Sequence, residues 1–156
     1  MAPPMEDSAG VRFPPPLIYA LFLGAAVLLQ RLVPAPAPAP GVRGSLAWAC
    51  LALAAALGAL SLGLFFALRV NPMPHTPTRT LVVRGPYRFT RNPMYLGLLL
   101  LYLGLGALFA CVWALVLAPA LVATIRYYAI AREERYLAAR FGQEYRDYEA
   151  RVRRWI

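Results

Sequence analysis

The run Pro93-Met-Tyr-Leu-Gly-Leu-Leu-Leu-Leu-Tyr-Leu-Gly-Leu-Gly-Ala-Leu-Phe-Ala-Cys-Val-Trp-Ala-Leu-Val-Leu-Ala-Pro-Ala-Leu-Val-Ala-Thr-Ile-Arg-Tyr-Tyr-Ala129 decides the fold. Arg126 is its only charge, and as one continuous helix it would extend about 55 Å, against about 30 Å of bilayer hydrocarbon. It is therefore read as two antiparallel spans, 93–109 and 112–130, reversing between Phe109 and Trp113, with Pro119 bending the second.

Outward from that hairpin, two further apolar runs precede it. Residues 17–33 are just long enough to cross, and Gln30-Arg31 closes them. Prolines precede this run, and no basic leader or small-residue cleavage site brackets it, so a retained span is expected rather than a signal peptide. Pro34-Ala-Pro-Ala-Pro-Ala-Pro40 is a polyproline-like spacer. Residues 45–68 form the second span, with Ala55, Ala59 and Gly63 at four-residue spacing making a face that another helix can approach closely. The expected fold is thus an all-α integral membrane protein: one domain of about four transmembrane helices, a cytoplasmic loop 69–92 and an amphipathic helical tail 131–156.

Composition agrees with a bilayer. The chain of 156 residues is 60% hydrophobic with a net charge of +9, and its mean hydropathy is +0.55. All 16 basic residues are arginine, a side chain that stays protonated and grips carboxylate or phosphate with a planar fork. Anionic lipid headgroups are the economical partner for such a surface, and nucleic acid is not expected. With four spans, Arg12, the arginines from Arg69 to Arg91 and those from Arg126 onward share one side, while Arg31 and Arg43 lie opposite. The positive-inside rule makes the rich side cytoplasmic, both termini included, as in a bacterial inner membrane. Cys50 and Cys111 lie in apolar runs without other ligands at metal spacing, so both are expected to be inert and no metal site is expected.

Two polar segments on the arginine-rich side can carry chemistry. In Leu81-Val-Val-Arg-Gly-Pro-Tyr-Arg-Phe-Thr-Arg-Asn-Pro-Met-Tyr-Leu-Gly97, Gly85-Pro86 is turn chemistry and Asn92-Pro93 reads as a cap and first helical position. The amides of Met94 and Tyr95 then carry the positive end of the helix dipole, which together with Arg91 suits a carboxylate or phosphate. A positively charged flank with a well-made cap would look the same. In the tail, Leu137, Phe141, Tyr145, Tyr148, Val152 and Trp155 recur at three or four residues, a pattern expected to lie in the interface with its aromatics toward lipid and a break at Gly142. Peripheral anchoring does not account for the adjacent carboxylates Glu133-Glu134, which at the exit of a span call for arginines or a cationic ligand. His75, the only histidine, is expected to be a solvated loop residue.

With these motifs the chain resembles the membrane methyltransferases of the isoprenylcysteine carboxyl methyltransferase and phospholipid N-methyltransferase superfamily. The resemblance runs from Pro77 to Trp155. It rests on Thr80-Leu81-Val82, Gly85-Pro86-Tyr87, Arg91-Asn92-Pro93-Met94-Tyr95 with Gly97, and then Glu133-Glu134, Leu137, Phe141-Gly142, Tyr145 and Tyr148. It implies S-adenosylmethionine as methyl donor, released as S-adenosylhomocysteine, bound by Thr80, Leu81, Val82, Tyr87, Asn92, Pro93, Met94, Tyr95 and Glu133. Glu133 would suit the donor's ammonium group, and Tyr87 and Tyr95 would offer ring faces to adenine or sulfonium. Arg88 and Arg91 are the candidates for orienting an acceptor. Asn92 stands where the family pattern commonly has histidine, which removes a titrating group from that position. The spans are also fewer than in the eukaryotic prenylcysteine enzymes.

The leading expectation is an enzyme that methylates a hydrophobic, membrane-dissolved acceptor: an isoprenylcysteine-type carboxylate, a thiol or a lipid amine. A non-catalytic membrane protein that binds anionic lipid or a protein partner through its arginines is the alternative from another class. A third reading is nicotinamide-dependent reduction on a related membrane fold, though no Gly-rich dinucleotide fingerprint accompanies it.

Overall fold

The computed structural model describes residues 10–11, 13–69 and 80–155, so His75 lies outside the described residues. Helix α1 spans Pro15–Leu32 and α2 Pro40–Leu68; a single 3-10 turn, Gly85–Arg88, then leads to α3, Pro93–Leu108. Helix α4 covers Val112–Ile125 and runs through a π-helical turn, Arg126–Ile130, into α5, Ala131–Phe141, and α6 covers Gln143–Arg151. No strand occurs among the described residues.

The helix starts follow from local chemistry. Proline occupies the first turn of α1, α2 and α3, where its missing N–H removes no helical bond. The apolar run reverses at Phe109–Cys111, where Ala110 takes a positive φ of 52°. At that end of the bundle Gln30 is a bracket: its Oε1 accepts from the Val112 amide at 3.2 Å and its Nε2 donates to the Ala35 carbonyl at 2.8 Å. The Trp113 indole donates to the Val33 carbonyl at 2.8 Å, so the proline-rich spacer is tied to the start of α4.

Helix α2 packs against α3, and α1 against α4 and α3. Small residues set the first of these contacts. A Cβ on Gly104 would meet Leu51 at 3.0 Å and the Ala47 carbonyl at 3.2 Å, and one on Gly97 would lie 3.5 Å from Leu57. The face of α2 turned inward is therefore Ala47, Ala54 and Ser61, all buried. This corrects the expectation for Ala55, Ala59 and Gly63, which are exposed. Tyr102, Leu121, Ile125 and Ile130 are fully buried where α1, α3 and α4 meet, and Val11 joins them from the segment before α1.

Three helices are long and apolar enough to cross a membrane: α1, α2 and the continuous helix Val112–Phe141; α3 is a shorter apolar helix. Leucines 17, 21, 28, 46, 53, 60 and 115 are exposed on these helices, together with Trp48, as hydrocarbon contact requires. The protein is an integral membrane protein. Hydrocarbon character ends at Ile130, because Arg132, Glu133, Glu134, Arg135 and Arg140 crowd the following eleven residues of α5.

The tail breaks at Gly142 as expected, where a positive φ of 52° separates α5 from α6, but its aromatics differ from expectation: those of α6 turn inward. Tyr145 and Tyr148 are buried against Leu81, with Val83, Leu137, Phe141 and Val152 around them, and Trp155 packs on the main core. The motif segment offers a protein surface that removes these rings from water, so they need no lipid to cover them.

Candidate functional site at the charged end of the bundle

The two polar segments meet at one end of the helices. The first turn of α3 and the first turn of α5 face one another, and the Tyr95 hydroxyl donates to Glu133 Oε1 at 2.5 Å. Tyr95 is held from behind: its carbonyl accepts from the Tyr19 hydroxyl of α1 at 3.0 Å. Tyr87, on the 3-10 turn, stands edge-on to Phe65 of α2 with ring centroids 5.8 Å apart. Its carbonyl accepts from the Tyr148 hydroxyl of α6 at 2.8 Å. One partly buried carboxylate, two phenols and a helix start are thereby drawn from three elements.

Electrostatics at Glu133 follow from this placement. Burial pushes its carboxyl up to about 7, the Tyr95 hydrogen bond opposes the rise and the neighbouring Glu134 adds to it. Burial also raises the Tyr87 phenol above its ordinary value, with smaller contributions from Glu133 and Tyr148. A carboxyl in this state is stabilised as an anion by an arriving cation.

Glu134 has a different environment. Arg154 grips it with a two-pronged fork, Nε to Oε1 at 2.8 Å and Nη2 to Oε2 at 2.7 Å. Arg91 approaches Glu134 at 3.4 Å, donates to the Tyr145 hydroxyl at 3.3 Å and is hydrogen-bonded to Glu149. Burial works against the Arg91 cation, but Glu149 and Glu134 outweigh it and hold the guanidinium's pKa above its usual value. Burial, with Glu134 adding, pushes the Tyr145 phenol up to about 12, and burial, with Tyr145 adding, does the same for Tyr148.

Backbone carbonyls complete the join. The Arg91 amide donates to the Arg153 carbonyl at 3.0 Å. The Arg154 carbonyl accepts from the Thr90 hydroxyl at 3.1 Å and from the Asn92 side-chain amide at 2.9 Å. Asn92 therefore stands at the N-cap position without capping α3 through its side chain. Instead, the Thr90 hydroxyl accepts the Asn92 amide at 3.1 Å. The tail outcompetes the local cap because it also satisfies a carbonyl.

Among the residues expected at the site, Tyr87, Tyr95 and Glu133 come together, and Pro93 and Met94 start the helix beneath them. Leu81 and Val82 are buried, Leu81 against the rings of α6, whereas Thr80 is exposed. Arg88 is exposed on the 3-10 turn, and Arg91 spends its guanidinium on carboxylates of the tail. Tyr19, Thr90, Glu149 and Arg154 were not anticipated. Nothing local marks a tyrosine in an apolar helix, or one arginine among eight after position 125, as a partner of residues so distant in sequence.

A phospholipid methyltransferase family model matches residues 44–144, which takes in α2, the 3-10 turn, α3, α4 and α5. A protein of Haemophilus influenzae described as "Uncharacterized protein" is 42% identical over 67 residues, covering 40% of this chain and 100% of the relative. No solved structure matches.

Proposed function

The chain belongs to the phospholipid methyltransferase family, and from that premise we propose that this membrane methyltransferase uses S-adenosylmethionine to methylate a hydrophobic acceptor dissolved in the bilayer. The acceptor class is a carboxylate, thiol or amine carried on an isoprenoid or lipid. The observation that carries this reading is the Tyr95–Glu133 contact of 2.5 Å, which joins the two motifs at the mouth of the bundle.

The residues present fit the donor. Glu133 is a partly buried carboxyl whose neighbours leave it wanting a cation, and the donor's ammonium group is one. Tyr87 and Tyr95 present aromatic surface beside it, suited to a sulfonium or an adenine ring. Leu81 and Val82 supply apolar wall, and the opening turn of α3 leaves the Met94 and Tyr95 amides without intrahelical partners, which suits a carboxylate. Asn92 and Thr80 remain assigned to this site by family position. When bound, the donor supplies an electrophilic methyl on a good leaving group.

The chain's own contribution is alignment and exclusion of water. Tyr19 fixes the Tyr95 backbone, Tyr95 fixes the Glu133 carboxyl, and Tyr148 fixes the 3-10 turn that bears Tyr87. Arg88, exposed on the 3-10 turn as Arg84 is just before it, is the candidate for an acceptor headgroup, while Arg91 is a positioning residue. The arginine-rich end faces the cytoplasm, and α3 completes a fourth crossing.

Titration of detergent-purified protein with S-adenosylhomocysteine tests the donor site. Saturable binding that weakens at least tenfold in Glu133→Gln and in Tyr95→Ala is the expected result. Salt-sensitive lipid binding indifferent to Glu133, with no binding of the nucleoside, would favour the non-catalytic alternative.

A further inference from the structure

Residue 154 lies beyond the stretch 44–144 matched by the family model, yet it touches both halves of the candidate site. Its side chain forks onto Glu134, one residue from Glu133 in the first turn of α5. Its carbonyl takes hydrogen bonds from Thr90 and Asn92, which lie directly before the first turn of α3 that bears Tyr95. The adjoining Arg153 carbonyl takes a third from the Arg91 amide. One residue thus spans the gap that the Tyr95–Glu133 contact also spans.

We infer that Arg154 is a positioning residue for donor binding: it braces the start of α3 against the start of α5 and neutralises Glu134, so that Glu133 alone is left to receive the donor's cation. The inference rests on the donor reading above. Its physical basis is twofold. A planar fork fixes orientation as well as distance, which a single point charge does not. Arg91 does not supply such a fork in this arrangement: it reaches Glu134 through Nη1 alone, at 3.4 Å, and that nitrogen also serves Glu149 and Tyr145. Without Arg154, Glu134 keeps one remote cation at 3.4 Å, and two adjacent carboxyls compete for it.

The test compares wild type, Arg154→Ala, Arg154→Lys and Glu133→Gln by calorimetric titration with S-adenosylhomocysteine and by hydrogen–deuterium exchange of the unliganded proteins. Arg154→Ala is expected to weaken binding about tenfold or more, with Arg154→Lys recovering part of the loss because it restores charge without the fork. Exchange is expected to rise locally, in peptides covering residues 89–92 and 131–135. Wild-type affinity in Arg154→Ala alongside lost affinity in Glu133→Gln overturns the inference and leaves the donor site standing. Faster exchange spread through α1 and α4 also overturns it, since Arg154 would then be a general stabiliser. Failure of the wild type to bind defeats the donor reading and this inference with it.

Discussion

At the scale of single residues, Glu133 and Glu134 show how neighbours in sequence are assigned different chemistry by their surroundings. Glu134 meets two arginines, whereas Glu133 meets a phenol and burial; burial pushes its carboxyl from 4.5 up to about 7, against the opposing hydrogen bond from the phenol. The sign of the consequence is fixed. A carboxyl with a raised folded value contributes stability that is complete below its unfolded value and is lost as pH climbs through about 7. A bound cation opposes that loss by favouring the anion. Affinity for S-adenosylhomocysteine is therefore expected to rise between about pH 5.5 and 7, by up to about tenfold per unit, and to flatten in Glu133→Gln. Calorimetric titration across that range measures it. The sequence had marked Glu133-Glu134 as costly without a partner. Which of the two the arginines would satisfy depended on Arg154, a residue with no local mark.

At the scale of elements, glycines decide how closely helices approach, and their tolerance is graded. A Cβ on Gly106 would come within 2.5 Å of the Ala114 Cβ at the α3–α4 turn, whereas one on Gly97 finds ordinary contact at 3.5 Å. Gly106→Ala is expected to destabilise by about 1–3 kcal/mol through overpacking, and Gly97→Ala to lie within about 1 kcal/mol of wild type. Thermal unfolding in detergent should separate the two. Gly142 is different in kind: at φ 52° and ψ −117° it is strained for any L side chain, although nothing lies within 4 Å of the Cβ position. Gly142→Ala is expected to loosen α6 from Leu81 rather than unfold the bundle, read as increased proteolysis of the tail with unchanged helix content. The helix pattern, the reversal near Phe109 and the break at Gly142 were legible because proline, glycine and apolar runs act locally. The contact face of α2 was not, since Ala54 and Ala55 differ only in which one meets α3.

At the scale of the whole molecule, charge is distributed as the membrane requires. Arginines 69, 84, 88, 91 and all those from Arg126 onward gather at the end that bears the candidate site, with Arg31 and Arg43 at the other. A cysteine placed at Gln143 in a Cys50→Ala, Cys111→Ala background is expected to react with an impermeant maleimide only in inverted membrane vesicles. One at Gly41 should react only in intact spheroplasts, and the opposite pattern would invert the topology. The motifs mark the two segments that meet at the candidate site, and the apolar content places the chain in a bilayer. Those conclusions needed only the sequence, because hydrophobicity, turn chemistry and motif order are written in consecutive residues. The direction of the tail aromatics, the use of Asn92 as a clamp rather than a cap, and the brace through Arg154 were decided by tertiary structure. Each depends on a partner distant in sequence, 20 residues away for the Arg154 fork and about 60 for Asn92 and Tyr148, and only the packed chain brings it within reach.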